Sequence, residues 1–349
     1  MTDPMAVEVR RLRELGLPRP VPRRMSMQIT NICNSRCTMC SIWEIYRENK
    51  GLQSTELTGE EWLRVAGLAL DQGVTSIDVT GGEPFLKEGV VELLSLVLQR
   101  TGFTAVTTNG LQPKRILGMV EKILAAAPAD ALFVVSVSMD GFSDTYARIR
   151  GVKNGHARVH QLLRGLGELR ERYPQLSQQI SFTIMDENVD ELPTLMDEAL
   201  RTGLVREPDD FNFRPVASGH YYAKNNNLEG RDRLVRTVEE VRRRFQFRRT
   251  LPFIEKIPLS VVEPSRMILP CYAMFASLWV DPYGGIAPCV TMTEDVMGNV
   301  RDTGFDILPI WNGHLAQQSR RRIQRDECAV CWTDCQAMES IEYETAGAR

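Results

Sequence analysis

The sequence predicts an α/β fold: a parallel sheet flanked by helices, then a small cysteine-rich C-terminal region built on a hairpin and a short helix. Three observations predict it. Strand-like alternation and helix-like periodicity take turns about six times between residues 25 and 250. The residues able to carry chemistry fall just after the alternating runs, where a parallel barrel, open or closed, places its active site. Eight cysteines split into a group at 33, 37 and 40 and a group at 271, 289, 328, 331 and 335, with none from 41 to 270.

Each element follows in order. The first 24 residues are rich in Arg and Pro and read as a short helix and a lead-in, with Val7, Leu12 and Leu15 as candidate anchors. Met25 to Thr30 alternates apolar and polar residues and predicts the first strand. Cys33 to Lys50 reads as a loop. Thr58-Gly59-Glu60-Glu61 is a capping box before a helix carrying Trp62, Val65, Leu68 and Leu70. SIDVT (76–80) is the second strand and ends at Gly81-Gly82-Glu83-Pro84. A helix near 88–100 leads to a strand at 103–107 and the turn Thr108-Asn109-Gly110. A helix near 113–126 leads to a strand at 132–138, then Met139-Asp140-Gly141. Helices near 156–172 and 190–202 precede strands at 179–185 and 210–215, and a charged helix lies near 229–246.

Residues 251–270, with Pro252, Pro258, Pro264 and Pro270, read as a linker. Ser277 to Asp281 and Ile286 to Val290 flank Pro282-Tyr283-Gly284-Gly285, a hairpin signal. A short helix near 313–325 precedes the last three cysteines. The expected division is a lead-in (1–24), a core (25–250), a linker (251–270), a cysteine-rich domain (271–341) and a tail (342–349). That last domain looks too small and loop-rich for a core of its own, so a metal cluster is expected to substitute for one.

Composition removes several classes. With 43% hydrophobic and 25% charged residues, the chain is neither disordered nor low in complexity. No uninterrupted apolar run approaches the ~18 residues of a membrane span, and the first residues lack a signal-peptide core. A net charge of −3 gives no reason to expect nucleic acid. A chain of 349 residues without a secretion signal is expected in the cytoplasm, where clustered cysteines bind metal or do redox chemistry rather than pair as disulfides.

Cys33-x3-Cys37-x2-Cys40 puts three thiolates on one short loop, enough for three corners of an iron–sulfur cube. The fourth iron would lack a protein ligand, since none of His156, His160, His220 and His314 is adjacent. An open iron can bind a small molecule through an amine and a carboxylate. These cysteines, with Gly81-Gly82-Glu83-Pro84 on the second strand, resemble the CxxxCxxC and GGEP motifs of the radical S-adenosylmethionine (SAM) superfamily. The resemblance implies a partial (β/α)6, TIM-like barrel and a [4Fe–4S] cluster chelated by SAM. It also implies cleavage of SAM to methionine and a 5′-deoxyadenosyl radical, which abstracts a substrate hydrogen.

In that family GGEP contacts the methionyl ammonium, so Gly81, Gly82, Glu83 and Pro84 become cofactor-binding candidates. Asn109, Ser138 and Arg150 stand where related enzymes contact SAM. One departure is Met39, where the family usually has an aromatic residue; it keeps apolar packing and loses stacking. The competing reading of the cysteines alone is a zinc site in a non-catalytic interaction protein. It needs a fourth ligand, and none is evident near Cys40.

The C-terminal cysteines resemble the auxiliary iron–sulfur extensions called SPASM and twitch domains. The stretch from Cys271 through VDPYGGIAPC, Met297-Gly298-Asn299-Val300 and Ile310-Trp311-Asn312 carries that resemblance. Seven cysteines and two clusters are usual in a full SPASM domain, whereas five are present here. The x17 and x2 spacings look most like the twitch domain of 2-deoxy-scyllo-inosamine dehydrogenase. They imply Cys271, Cys289, Cys328 and Cys331 as ligands of one auxiliary [4Fe–4S] cluster, with Cys335 spare or displacing Cys328 or Cys331.

An auxiliary cluster can accept the second electron of an oxidation, so the resemblance favours a dehydrogenase-like oxidoreductase acting on a small polar metabolite. A free Cys335 next to the substrate would instead return a hydrogen atom, as in an epimerase. A peptide-modifying maturase is the further alternative. A flavodoxin- or ferredoxin-type protein would supply electrons. The basic runs Arg242-Arg243-Arg244, Arg248-Arg249 and Arg320-Arg321-Arg322 are either solvated helix faces or a docking surface for such a donor. His220-Tyr221-Tyr222, with Asn212 and Arg214 upstream, would line the substrate side of the barrel mouth or simply pack there.

Overall fold

The computed structural model describes residues 3–217, 221–222, 229–328 and 331–345. Helix α1 (Pro4–Glu14) leads to β1 (Arg24–Gln28), a short α2 (Ile45–Glu48) and α3 (Gly59–Asp71). Then β2 (Ser76–Thr80), α4 (Val90–Thr101), β3 (Phe103–Thr108), α5 (Pro113–Ala125) and β4 (Leu132–Ser138) alternate. Two helices, α6 (Ser143–Arg150) and α7 (Gly155–Arg172), precede β5 (Leu176–Ile184). Next come α8 (Leu192–Arg201), β6 (Phe211–Pro215) and α9 (Arg231–Arg244). The prolines of the linker stretch open two short helices, α10 (Leu251–Ile254) and α11 (Ile257–Val262), where a missing N–H costs nothing. The C-terminal part holds β7 (Ser277–Val280), β8 (Gly285–Ala287), β9 (Gly298–Asn299), α12 (Leu308–Trp311), α13 (His314–Gln324) and α14 (Asp334–Thr345).

The strands form one sheet in the order β6-β5-β4-β3-β2-β1-β7-β8-β9. The six core strands are all parallel and the barrel stays open. The hairpin does not stand apart. β7 adds parallel to the free edge of β1, pairing Arg24 with Ser277 and Met27 with Val280, and β8 and β9 continue antiparallel.

Alternation sorts the strand faces. Met25, Met27, Ile77, Val79, Val106, Val135 and Val137 are buried against the helices in the main core. The opposite, lumen-facing set includes Arg24, Asp78, Ser136, Ser138, Ser181, Asn212 and Arg214, so the lumen is polar. α14 seals the seam between the β6 and β7 sides. Asp334 meets Asn212 and Arg214 of β6, and Ser277 of β7 donates to Glu339 at 2.6 Å. Arg10 of α1 donates to the Tyr343 carbonyl at 2.9 Å.

The lead-in helix turns differently from expectation. Ala6 and Val9 are its buried residues, and Val7 and Leu15 are exposed. Packing against α14 selects that stripe. Among the described residues no helix is long and apolar enough to cross a membrane.

Candidate active site and iron–sulfur centres

Beyond its last paired residue, β1 runs on beside β2. Ile29 N donates to Thr80 O, Gly82 N to Thr30 O at 2.7 Å and Glu83 N to Ile32 O at 2.8 Å. The two glycines allow this approach. A Cβ on Gly81 would stand 2.7 Å from Thr30 O, and one on Gly82 would overlap Ile32 O. Pro84 then opens a single turn of 3₁₀ helix.

Glu83 turns inward rather than toward the mouth. Its carboxylate accepts from Thr108 Oγ1 at 2.9 Å, Asn109 N at 2.7 Å and Phe85 N at 3.2 Å. Burial pushes its carboxyl up to about 7 despite these donors. Glu83 therefore ties the second strand end to the third.

Cys33, Cys37 and Cys40 sit on the loop after β1, and the C-terminal end of α6 templates it. Arg36 N donates to Arg150 O at 3.0 Å, Thr38 N to Ile149 O at 2.8 Å and Ser35 Oγ to Arg150 O at 2.9 Å. Donors converge on the sulfurs. Ser35 N points at Cys33 Sγ (3.4 Å), Ser35 Oγ lies 3.2 Å from Cys37 Sγ, and Asn109 Nδ2 and Arg150 Nη1 reach Cys33 and Cys37 at 3.7 and 3.6 Å. Burial pushes the Cys33 and Cys40 thiols up to about 11 and about 12, and each feels the charge of its neighbouring sulfurs. Three sulfurs on one loop, each within or beside a cradle of N–H and O–H donors, fit a cationic iron–sulfur core. Met39 is buried against Ile149, with Met185 and Val216 packed beside them.

Ser138 ends β4 on the lumen side, buried and paired in register with Ser181. Tyr221 crosses back to the cysteine loop: its carbonyl accepts from Ser41 N at 2.9 Å, and its hydroxyl accepts from Gln28 Nε2 at 3.2 Å. Burial raises the Tyr222 phenol, with Cys40 and Arg214 among its charged neighbours. His220 lies outside the described residues.

In the C-terminal region a cavity is lined by Cys271, Cys289, Cys328 and Cys331, with Met292 and Trp332. Burial raises the Cys271 thiol well above its ordinary value and Cys289 to about 12, and both feel Cys331. Four cysteines lining one cavity with largely apolar walls are the donor set that an iron–sulfur core requires. Cys335 does not line this cavity, yet it feels Cys331 and is felt by Cys289. Its hydroxyl neighbour is Thr333 at 3.4 Å, and burial raises its thiol to about 11 beside Asp334 and Arg24, which face the lumen.

Two buried carboxylates have no role assigned from the sequence. Glu56 is buried and accepts from Thr30 Oγ1, Asn31 N, Tyr46 OH and Lys87 Nζ, bracing the strand that enters the cysteine loop. Asp140, in the Met139-Asp140-Gly141 turn, is fully buried and pairs with Arg150. The basic runs do not form one free surface. Arg242 and Arg244 pair with acidic neighbours, and Arg320 is buried, donating to Met274 O and Trp311 O.

Residues 27–199 match the radical SAM superfamily, and residues 271–336 match SPASM, an iron–sulfur cluster-binding domain. Among curated proteins, PqqA peptide cyclase of Granulibacter bethesdensis is 24% identical over 311 residues, covering 86% of this chain and 76% of its own. The subtilosin biosynthesis protein AlbA of Bacillus subtilis is 21% identical over 309 residues, and 61% of its length is matched. SuiB of Streptococcus suis, solved bound to precursor peptide SuiA, superposes with a TM-score of 0.63 at 18% identity, covering 89% of this chain and 69% of that one. This last likeness is one of fold. With motifs, sheet and both matched segments in agreement, the chain belongs to the radical SAM superfamily, carries a SPASM iron–sulfur domain, and has SAM and [4Fe–4S] clusters as its cofactors.

Proposed function

We propose that this radical SAM enzyme carries out a two-electron oxidation of a peptide. The observation that carries oxidation is the second cysteine centre beside the lumen seam. The relatives named PqqA peptide cyclase favour a peptide over the small polar metabolite that cysteine spacing alone favours. Cys33, Cys37 and Cys40 hold the SAM-binding cluster. Gly81, Gly82, Pro84, Asn109 and Ser138 face SAM, Glu83 fixes their backbone, and Arg150 reaches the site from behind Cys37. Cys271, Cys289, Cys328 and Cys331 hold the auxiliary cluster. The bound groups would supply a hydrogen-abstracting radical at the mouth and an electron acceptor at the seam. A small acidic flavodoxin- or ferredoxin-type protein supplies electrons. The chain's own part is to exclude water at the mouth with Tyr221 and Tyr222 and to orient a polar substrate with the lumen side chains.

Iron counting after anaerobic reconstitution tests the ligand sets. We expect ~8 iron atoms per chain in wild type and ~4 in a Cys33/Cys37/Cys40→Ala variant, which should also lose reductive cleavage of SAM. A wild type holding only ~4, all lost in the variant, would remove the electron acceptor and with it the oxidation. Co-expression with short peptides encoded beside the gene tests the substrate class: a product lighter by two hydrogen atoms is expected.

The place of Cys335, outside the cavity lining and beside the lumen residues Asp334 and Arg24, favours one second reading: its S–H returns a hydrogen atom to the substrate radical, and one electron from the flavodoxin- or ferredoxin-type donor with a solvent proton restores the thiol. That reading requires deuterium from solvent at the substrate carbon and no change of product redox state. Unlabelled, oxidised product excludes it.

A further inference from the structure

Arg150 joins the cluster loop to the barrel wall through both its backbone and its side chain. Its carbonyl accepts from Arg36 N and Ser35 Oγ, and its guanidinium donates through Nη1 to Cys37 Sγ at 3.6 Å. Through Nε and Nη2 it is held by Asp140. Asp140 is itself fixed, accepting Thr183 N at 2.6 Å on Oδ1 and Asn188 Nδ2 at 3.1 Å on its carbonyl. The next residue, Gly151, has φ +67°, and a Cβ there would stand 2.6 Å from Arg36 O. The loop thus packs directly on the end of α6, and the guanidinium sits buried behind one cluster sulfur. Its fork is committed to Asp140 and Cys37, which places its action on the cluster side of the site.

We infer that Arg150 is a positioning residue that raises the reduction potential of the N-terminal cluster by donating a charge-assisted hydrogen bond to the Cys37 sulfur. Reduction adds one electron to the cluster, and no proton need move. The added negative charge is shared by the ligating sulfurs. An N–H donor and a buried cation beside one of them stabilise the reduced form more than the oxidised form. Asp140 offsets part of the cationic charge. It does so from the opposite edge of the guanidinium, so the directed Nη1–H bond to sulfur remains.

The inference rests on Cys33, Cys37 and Cys40 being the ligands. The test is an EPR-monitored redox titration of the reconstituted full chain without SAM, for wild type, Arg150→Lys and Arg150→Gln. A separate sample with SAM identifies the N-terminal cluster by the change in its signal. Arg150→Gln is expected to bind normal iron while its midpoint falls by about a tenfold change in the reduction equilibrium, 59 mV for a one-electron couple. Arg150→Lys keeps the charge but not the planar fork and should fall by less. A purely structural role would alter iron content and leave the midpoint alone.

Normal iron with wild-type midpoints in both variants overturns the inference. If only the Gln variant fails to assemble its cluster, the Lys variant decides: a lowered midpoint supports the inference, and an unchanged one overturns it. Failure of both to assemble overturns it in favour of loop building alone. A wild type without any SAM-sensitive signal overturns the ligand set itself, and the inference falls with it.

Discussion

Glu83 and Glu339 are buried carboxyls that take hydroxyl and amide donors: Thr108, Asn109 and Phe85 for Glu83, and Ser277 for Glu339. Desolvation dominates and pushes both up to about 7, from an ordinary 4.5. The sign follows from proton counting. Between about 4.5 and 7 the folded chain keeps protons that the unfolded chain has released, so stability falls as pH rises through that window and levels off above it. One such group gives a slope of up to about 1.4 kcal/mol per pH unit. Glu339→Gln should therefore lose a visible part of the drop in urea midpoint between pH 5 and pH 7. An identical drop in the variant would mean that Glu339 is not held protonated. At this scale the sequence was legible where chemistry demands spacing, as in Cys33, Cys37 and Cys40 or Gly81-Gly82. It was silent on Glu56, whose four donors come from three separate stretches of chain.

The core strands were readable because each alternates a helix-facing and a lumen-facing set; 76–80 and 132–138 fall where alternation puts them. Several helices were not: α2, α10 and α11 lie in stretches read as loop or linker, and α6 and α14 matter most. α6 is short and polar, and its importance lies in its last turn, where Ile149 and Arg150 carbonyls template the cysteine loop. α14 lacks a continuous apolar stripe because the face toward the lumen and seam carries Asp334, Cys335 and Glu339. Its anchor there is the Arg214–Asp334 pair at 3.1 Å, supported by Asn212 at 2.8 Å. Asp334→Ala leaves the Arg214 guanidinium without its carboxylate. Both side chains keep roughly a quarter of their exposure, so the cost is below that of a fully buried pair, on the order of 1–3 kcal/mol. Adding Arg214→Met should recover part of it, because the stranded charge is gone. Chemical denaturation of the single and double variants measures this. If the two losses simply add, the pair does not hold the seam.

Across the whole molecule, the small C-terminal region was expected to need a metal cluster in place of a core. The sheet gives it a second source of packing. β7 pairs along β1, and Leu278, Val280, Ile286 and Trp311 belong to the same hydrophobic core as Met25 and Val79. Trp311 Nε1 donates to Arg19 O at 2.9 Å, and Trp332 stacks on Phe253 of α10, donating to its carbonyl at 3.0 Å. The linker prolines could not announce this, because parallel pairing of strands some 250 residues apart leaves no local pattern. Two deletions should then behave oppositely. A Cys271/Cys289/Cys328/Cys331→Ala variant removes the auxiliary ligands but leaves β7 in place. It should keep ~4 iron atoms, SAM-dependent changes in the remaining cluster, and one cooperative melting transition. A chain ending at residue 250 keeps every N-terminal ligand but strips β7 from β1 and α14 from the seam, exposing the β1 edge and the polar lumen. It should lose the cooperative transition and aggregate. The reverse result, a soluble two-state barrel from the truncated chain and an unfolded cysteine variant, would mean that the auxiliary centre supplies the stability and that the shared sheet is incidental to it.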